Sequence, residues 1–170
     1  MADIRVATIA DVNGINAIYN YFVEHSNAIF DLSPRSIEDA RRWFASHDRP
    51  DRPVLIAIDQ GVIAGWASLS TVSSKKGYDI TAEISVYVAP EKHRKGLGWD
   101  LVSGALAIGE SEKVHCVIAR VAVDNDASTM LFEKLGFTKL TIIREVAWKF
   151  GKYQDLLLMQ KLLSVNTIGF

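Results

Sequence analysis

Thr81-Ala82-Glu83-Ile84-Ser85-Val86-Tyr87-Val88-Ala89-Pro90-Glu91-Lys92-His93-Arg94-Lys95-Gly96-Leu97-Gly98 is the stretch from which the fold can be read. Ile80, Ala82, Ile84, Val86 and Val88 alternate with Thr81, Glu83, Ser85 and Tyr87, the period of a strand with two different faces. Ala89-Pro90 ends it. After a basic turn, Leu97, Leu101, Val102, Ala105, Leu106 and Ile108 mark a long amphipathic helix. Gly104 and Gly109 lie inside that helix and each costs about 1 kcal/mol relative to Ala. The turn therefore sits at a helix N-terminus, where backbone N–H groups and the helix dipole favour an anion. Gly96 and Gly98 allow close backbone approach, and Arg94 and Lys95 add charge. The expected ligand is a phosphate or pyrophosphate. An ordinary glycine-rich turn with solvated basic residues has the same spacing. A Walker A loop is excluded for lack of Gly-Lys-Ser/Thr, and a dinucleotide fingerprint for lack of a third glycine.

Upstream, Ile4 to Ala7 reads as a short strand and Thr8 as an N-cap. Val12, Ile15, Ile18, Tyr19, Phe22 and Val23 then recur at helical spacing. After the break at Ser33-Pro34, a second short helix carries Ile37, Ala40, Trp43 and Phe44 on one face. Val54 to Ile58 and Val62 to Leu69 form a hairpin around Asp59-Gln60-Gly61. Downstream, His115 to Val123 is a strand rich in Val, Ile and Ala. Asp124 or Asn125 caps a short helix that ends at Gly136-Phe137. A closing hairpin, about Thr138 to Phe150 and Tyr153 to Leu162, turns at Gly151. The order β-α-α-β-β-β-α-β-α-β-β predicts an α/β (α+β) mixed sheet with helices on both faces. One domain is expected over 1–163, with a tail over 164–170.

At 170 residues and 18.8 kDa the chain has the size of one domain with a real core. The 19 Lys+Arg nearly balance 20 Asp+Glu, which argues against a nucleic-acid binder. A single cysteine, Cys116, excludes an intrachain disulfide framework and a multi-cysteine zinc site, and the four histidines show no metal-ligand spacing. No apolar run has the length of a membrane span, and Asp3 and Arg5 stand where a signal peptide would be apolar. A cytoplasmic enzyme or small-molecule binder is the default expectation.

His93 to Gly98 resembles the Q/R-x-x-G-x-G/A pyrophosphate loop of the GNAT acetyltransferases, with His93 at the usual Gln/Arg position. The resemblance covers nearly the whole chain. Within the superfamily it is to the phosphinothricin and methionine sulfoximine N-acetyltransferase group. Matching segments are Ile18-Tyr19-Asn20, Glu83 to Val88, Asn125-Asp126-Ala127-Ser128, Leu135-Gly136-Phe137 and Lys149 to Asp155. The resemblance implies the GNAT fold, with its sheet splayed between strands 4 and 5, and acetyl-CoA as co-substrate without a metal. It implies backbone contacts from Val86 and Val88 to pantetheine, with Tyr87 between them counted among the cofactor-binding residues. His93, Arg94, Lys95, Gly96, Leu97, Gly98 and Trp99 would hold the pyrophosphate. Asn125 and Ser128 would contact the cofactor beyond it, and a plain N-cap is the other reading of Asn125. A homodimer and direct attack of a small amine acceptor in a ternary complex are implied as well.

Acetyl transfer from a thioester needs a neutral amine. A lysine-like amine costs about 4–5 kcal/mol to deprotonate at pH 7, an α-amino group only about 1–1.5 kcal/mol. Glu83 matches the family's expected general base, acting through water; read from the residues alone it is a charge on a half-exposed strand face. Phe132 stands where related enzymes carry Tyr or His and cannot donate a proton, which leaves water, Tyr87 or Tyr153. Asp79 follows Gly77-Tyr78 where several relatives carry Gly-Phe-Arg, so carboxylate binding by an arginine there is not expected. Phosphinothricin or methionine sulfoximine is the type of acceptor implied. The alternatives are a non-catalytic acetyl-CoA module and a peptide or protein acetyltransferase.

Overall fold

The computed structural model describes residues 2–164; the expected tail lies, from 165 on, outside the described residues. The elements follow the predicted order. They are β1 (Asp3–Val6), α1 (Val12–His25), α2 (Ile37–Ala45), β2 (Val54–Asp59), β3 (Val62–Thr71), β4 (Thr81–Val88), α3 (Leu97–Ser111), β5 (Cys116–Ala122), α4 (Asp126–Lys134), β6 (Thr138–Lys149) and β7 (Lys152–Leu162). The first strand begins and ends one residue earlier than expected. Thr8 opens a single 3-10 turn, Ile9–Asp11, ahead of α1. Asp11 closes that turn by accepting from Thr8 N at 2.7 Å and from both Nη atoms of Arg5 at 2.8 Å.

Seven strands form one sheet in the order β1-β2-β3-β4-β5-β7-β6. All neighbours are antiparallel except β4 and β5. The alternation along β4 divides the molecule. Ala82 and Ile84 join Leu101, Val102 and Ala105 of α3 and Phe132 of α4 in one core layer. On the other face Tyr87 packs with Trp66, Ile15, Ile18 and the aromatic residues of α1 and α2.

The glycines inside α3 have a packing reason. A Cβ on Gly109 would stand 2.8 Å from Leu69 Cδ1, and one on Gly104 3.0 Å from Leu55 Cδ1. Their propensity cost is offset by letting the helix lie close on the sheet.

Arg52 is fully buried and clamps the N-terminal end of β4. It donates to Asp79 O at 2.9 Å, Thr81 O at 3.0 Å and Asp51 Oδ2 at 2.8 Å. Asp79 is also paired with Arg49 at 3.1 Å, so this carboxylate is engaged in holding the loop before β4.

Candidate active site

The parallel ladder between β4 and β5 runs from Thr81↔Cys116 to Ile84↔Ala119 and stops there, while β3 stays paired with β4 as far as Val88. The expected splay between the fourth and fifth strands is present. Ala89 N donates to Ala64 O of β3 at 2.9 Å, so the pleat turns the amides of Val88 and Val86 to the opposite, open edge. A cleft of about 420 Å³ opens at this edge, walled by Ile84 to Val88 on one side and Arg120 to Ala122 on the other.

The basic turn closes one end of the cleft. Arg94 has φ +63° and Gly96 φ +80°, two left-handed residues immediately before α3. Only Gly adopts that conformation without strain, which explains its place at 96. A Cβ on Gly98 would lie 3.2 Å from Leu131 Cδ2, a tight contact where α3 faces α4. His93 donates from Nε2 to Val88 O at 2.8 Å and ties the turn to the strand end. His93, Arg94, Gly96, Leu97 and Gly98 all line the cleft. The side chains of Lys95 and Trp99 do not: Lys95 reaches Asp59 Oδ2 at 3.3 Å, and Trp99 is exposed.

Asn125 and Ser128 line the α4 side. The Asn125 carboxamide accepts from Ser128 N at 3.1 Å, so it caps α4 whatever else it contacts. Phe132 is buried against Phe137, with ring centroids 5.0 Å apart, and supplies an apolar wall. Tyr87 lines the cleft with its ring packed on Trp66 and Phe22, and burial pushes its phenol well above the usual range. Tyr153 is exposed at the far hairpin, stacked edge-on against Trp148.

Glu83 stands where the splay begins. Its carboxylate pairs with Arg120 of β5, Oε2 to Nη1 3.2 Å. Burial pushes the Glu83 carboxyl up from its ordinary range, and Arg120 opposes the rise. Arg120 was not singled out from the sequence, although a lone cation among Val, Ile and Ala was a signal open to reading. The Ile18-Tyr19-Asn20 segment is likewise explained by geometry. Asn20 holds both backbone groups of Arg35, at 2.8 and 2.9 Å, and Tyr19 donates to Asp31 at 2.5 Å. The Arg35 guanidinium lies 4.1 Å from the centre of the Tyr19 ring and 4.8 Å from that of Trp43. These contacts set the α1–α2 loop, whose Ala28 borders the cleft. Among the described residues no group of three or more His, Cys, Asp or Glu could hold a metal ion, and no helix is long and apolar enough to cross a membrane.

The chain is 35% identical over 160 residues to the L-methionine sulfoximine/L-methionine sulfone acetyltransferase of Pseudomonas aeruginosa, covering 94% of this chain and 93% of the relative. It is 34% identical to the L-amino acid N-acyltransferase of Escherichia coli, over 96% and 95% of the two chains. Among solved structures it is similar to a phosphinothricin acetyltransferase from Sinorhizobium meliloti in complex with acetyl-CoA. That match has a TM-score of 0.91 at 27% identity, covering 95% of this chain and 88% of the other. The model of the acetyltransferase (GNAT) family matches residues 15–137. With the splayed β4–β5 pair and the glycine turn ahead of α3 in place, the chain belongs to the acetyltransferase (GNAT) family.

Proposed function

We propose that this enzyme transfers an acetyl group from acetyl-CoA to the amine of a small amino-acid-like acceptor of the methionine sulfoximine or phosphinothricin type, by direct attack in a ternary complex. One observation carries the reading: β4–β5 pairing ends at Ile84 and Ala119, leaving an open strand edge between a carboxylate and an anion-seeking helix terminus. Acetyl-CoA supplies the activated acyl group and a thiol that leaves readily. The amides of Val86 and Val88 would hold the pantetheine arm as a further strand. The turn from His93 to Trp99 would hold the pyrophosphate through its backbone, and Asn125 and Ser128 would border the remainder. Glu83 accepts a proton from the acceptor's ammonium, directly or through water, so that the amine attacks as a neutral nucleophile. Phe132 and the packed aromatic face keep water from the thioester end.

The same reading places the enzyme in the cytoplasm as a single domain over 1–163. It also pairs two copies of the chain through the closing hairpin. Leu140, Ile142, Val146, Trp148, Phe150 and Tyr153 form a row of exposed apolar side chains there, more than a monomer ordinarily shows to water. Light scattering should give twice the chain mass.

The test is an amine panel with acetyl-CoA, including phosphinothricin, methionine sulfoximine, common L-amino acids and short peptides, read as thiol release. Turnover with free amino acids and not with peptides supports the reading. Binding of acetyl-CoA without turnover of any amine would make the chain a cofactor-binding module, and preference for peptides would make it a peptide acetyltransferase.

A further inference from the structure

We propose that Arg120 is the residue that selects the acceptor, by binding the carboxylate of an α-amino acid whose ammonium is held by Glu83; this rests on the acetyl-transfer reading above. Glu83 Oε2 and Arg120 Nη1 lie 3.2 Å apart where β4 and β5 part. Glu83 sits beside Ile118 in the ladder, and Arg120 lies two residues further along β5, so both side chains rise from the same face of the sheet. Apart from the turn at 92–94, Arg120 is the only cationic residue lining the cleft among the described residues. The cations of that turn are at the opposite end, with Lys92 held by Asp59 at 2.9 Å. Arg120 lines the cleft, and Glu83, which does not line it itself, stands against Arg120 at its edge, so one anion and one cation lie side by side there.

An α-amino acid carries its own cation and anion on a single carbon, and is the charge complement of that pair. When it docks, the Glu83–Arg120 bridge opens and each charge gains a new partner, so neither is left desolvated and unpaired. The guanidinium fork suits a carboxylate in a way that a single ammonium does not. An amine without a carboxylate takes Glu83 away from Arg120 and offers the arginine nothing in return. Asp79 is itself an anion and Lys149 is saturated by three carbonyls, so neither anchors that carboxylate. Arg35, whose Nη2 is buried without a hydrogen-bond partner, packs over Tyr19 and Trp43 and does not line the cleft. The Arg120 side chain is 49% exposed, so its replacement leaves no buried hole.

The experiment takes the best α-amino acid acceptor of the panel and its methyl ester, with wild type, Arg120→Gln and Arg120→Lys. It is run at several pH values up to about 8, so that a change in the ionisation of Glu83 shows as a shifted acidic limb common to acid and ester. Melting curves with acetyl-CoA verify that each variant folds and binds the cofactor. Arg120→Gln should lower the preference for the free amino acid over its ester, read as the ratio of their kcat/KM values, by about 10–100-fold, because any effect exerted through Glu83 falls on both substrates. Arg120→Lys should fall between and retain part of the selectivity. Equal losses for acid and ester would overturn the proposal, because Arg120 would then act only through Glu83. No loss for either would overturn it too. If wild type acetylates amino acids yet Arg120→Gln keeps its preference for the acid, only the Arg120 assignment falls. If wild type acetylates no amino acid, the acetyl-transfer reading falls with it.

Discussion

The ammonium of Lys149 donates to the carbonyl of Ile29 at 2.6 Å, joining the end of β6 to the loop that follows α1 across 120 positions of chain. The same nitrogen donates to Val23 O at 2.7 Å and Ser26 O at 2.8 Å, so all its protons are used. Lys149 is 3% exposed, and burial lowers its pKa from the usual lysine range. Ala28, within the loop it holds, borders the cleft. The closing hairpin is thereby tied to the loop that borders the cleft.

Lys149→Met keeps the length of the side chain but strands three carbonyls. It should destabilise the fold by on the order of 3 kcal/mol. In the proposed reading the loop borders the acceptor end, so KM for the acceptor should rise well before KM for acetyl-CoA does. Thermal melts and steady-state kinetics measure both. An unchanged melting temperature would mean that the three bonds contribute nothing net.

Glu83→Gln should lower kcat/KM for an amine acceptor by about 10²–10⁴-fold. The loss should shrink as pH rises, because free amine then forms without help. In wild type the acidic limb should lie above the ordinary glutamate range of about 4.3, since burial raises the group more than Arg120 lowers it. Acetyl-CoA affinity should barely change. Near-normal turnover of the variant at pH 7, with circular dichroism unchanged, would remove Glu83 as the base.

Gly98→Asp places a carboxylate where α3 begins and pushes a Cβ to 3.2 Å from Leu131. It should weaken acetyl-CoA binding at least about tenfold through like-charge repulsion. The loss should ease in high salt, since the repulsion is partly screened. Titration calorimetry decides; equal affinities for wild type and variant would show that the pyrophosphate lies elsewhere.

Asp11 contributes a pH-dependent part of the stability. Its bonds to Arg5 and Thr8 hold the carboxyl well below the usual range. A depressed folded pKa means stability that is complete above the unfolded value, near 4, and is lost as pH falls from there towards the folded one. Asp11→Asn should cost about 1–3 kcal/mol at neutral pH and little in strong acid. Denaturant melts across that range test the convergence; a constant gap between the two proteins would contradict it.

Which side chains belong to one face, where helices start and where the chain turns were all legible in the sequence, because these depend on neighbours within a few residues. The alternation from Ile80 to Val88 marks β4, Asn125 caps α4, and Gly96 takes the left-handed conformation a glycine tolerates. The resemblance carried by Glu83 to Val88, His93 to Gly98 and Lys149 to Asp155 added the splay and the family. Tertiary structure alone decided what stands beside what. It ended the β4–β5 ladder at Ile84, set Arg120 against Glu83, closed three carbonyls on Lys149 and buried Arg52 under β4. Periodicity reports that a residue points inward or outward and not which distant residue meets it. That choice comes from strand order and register, whose energy is spread over the whole sheet.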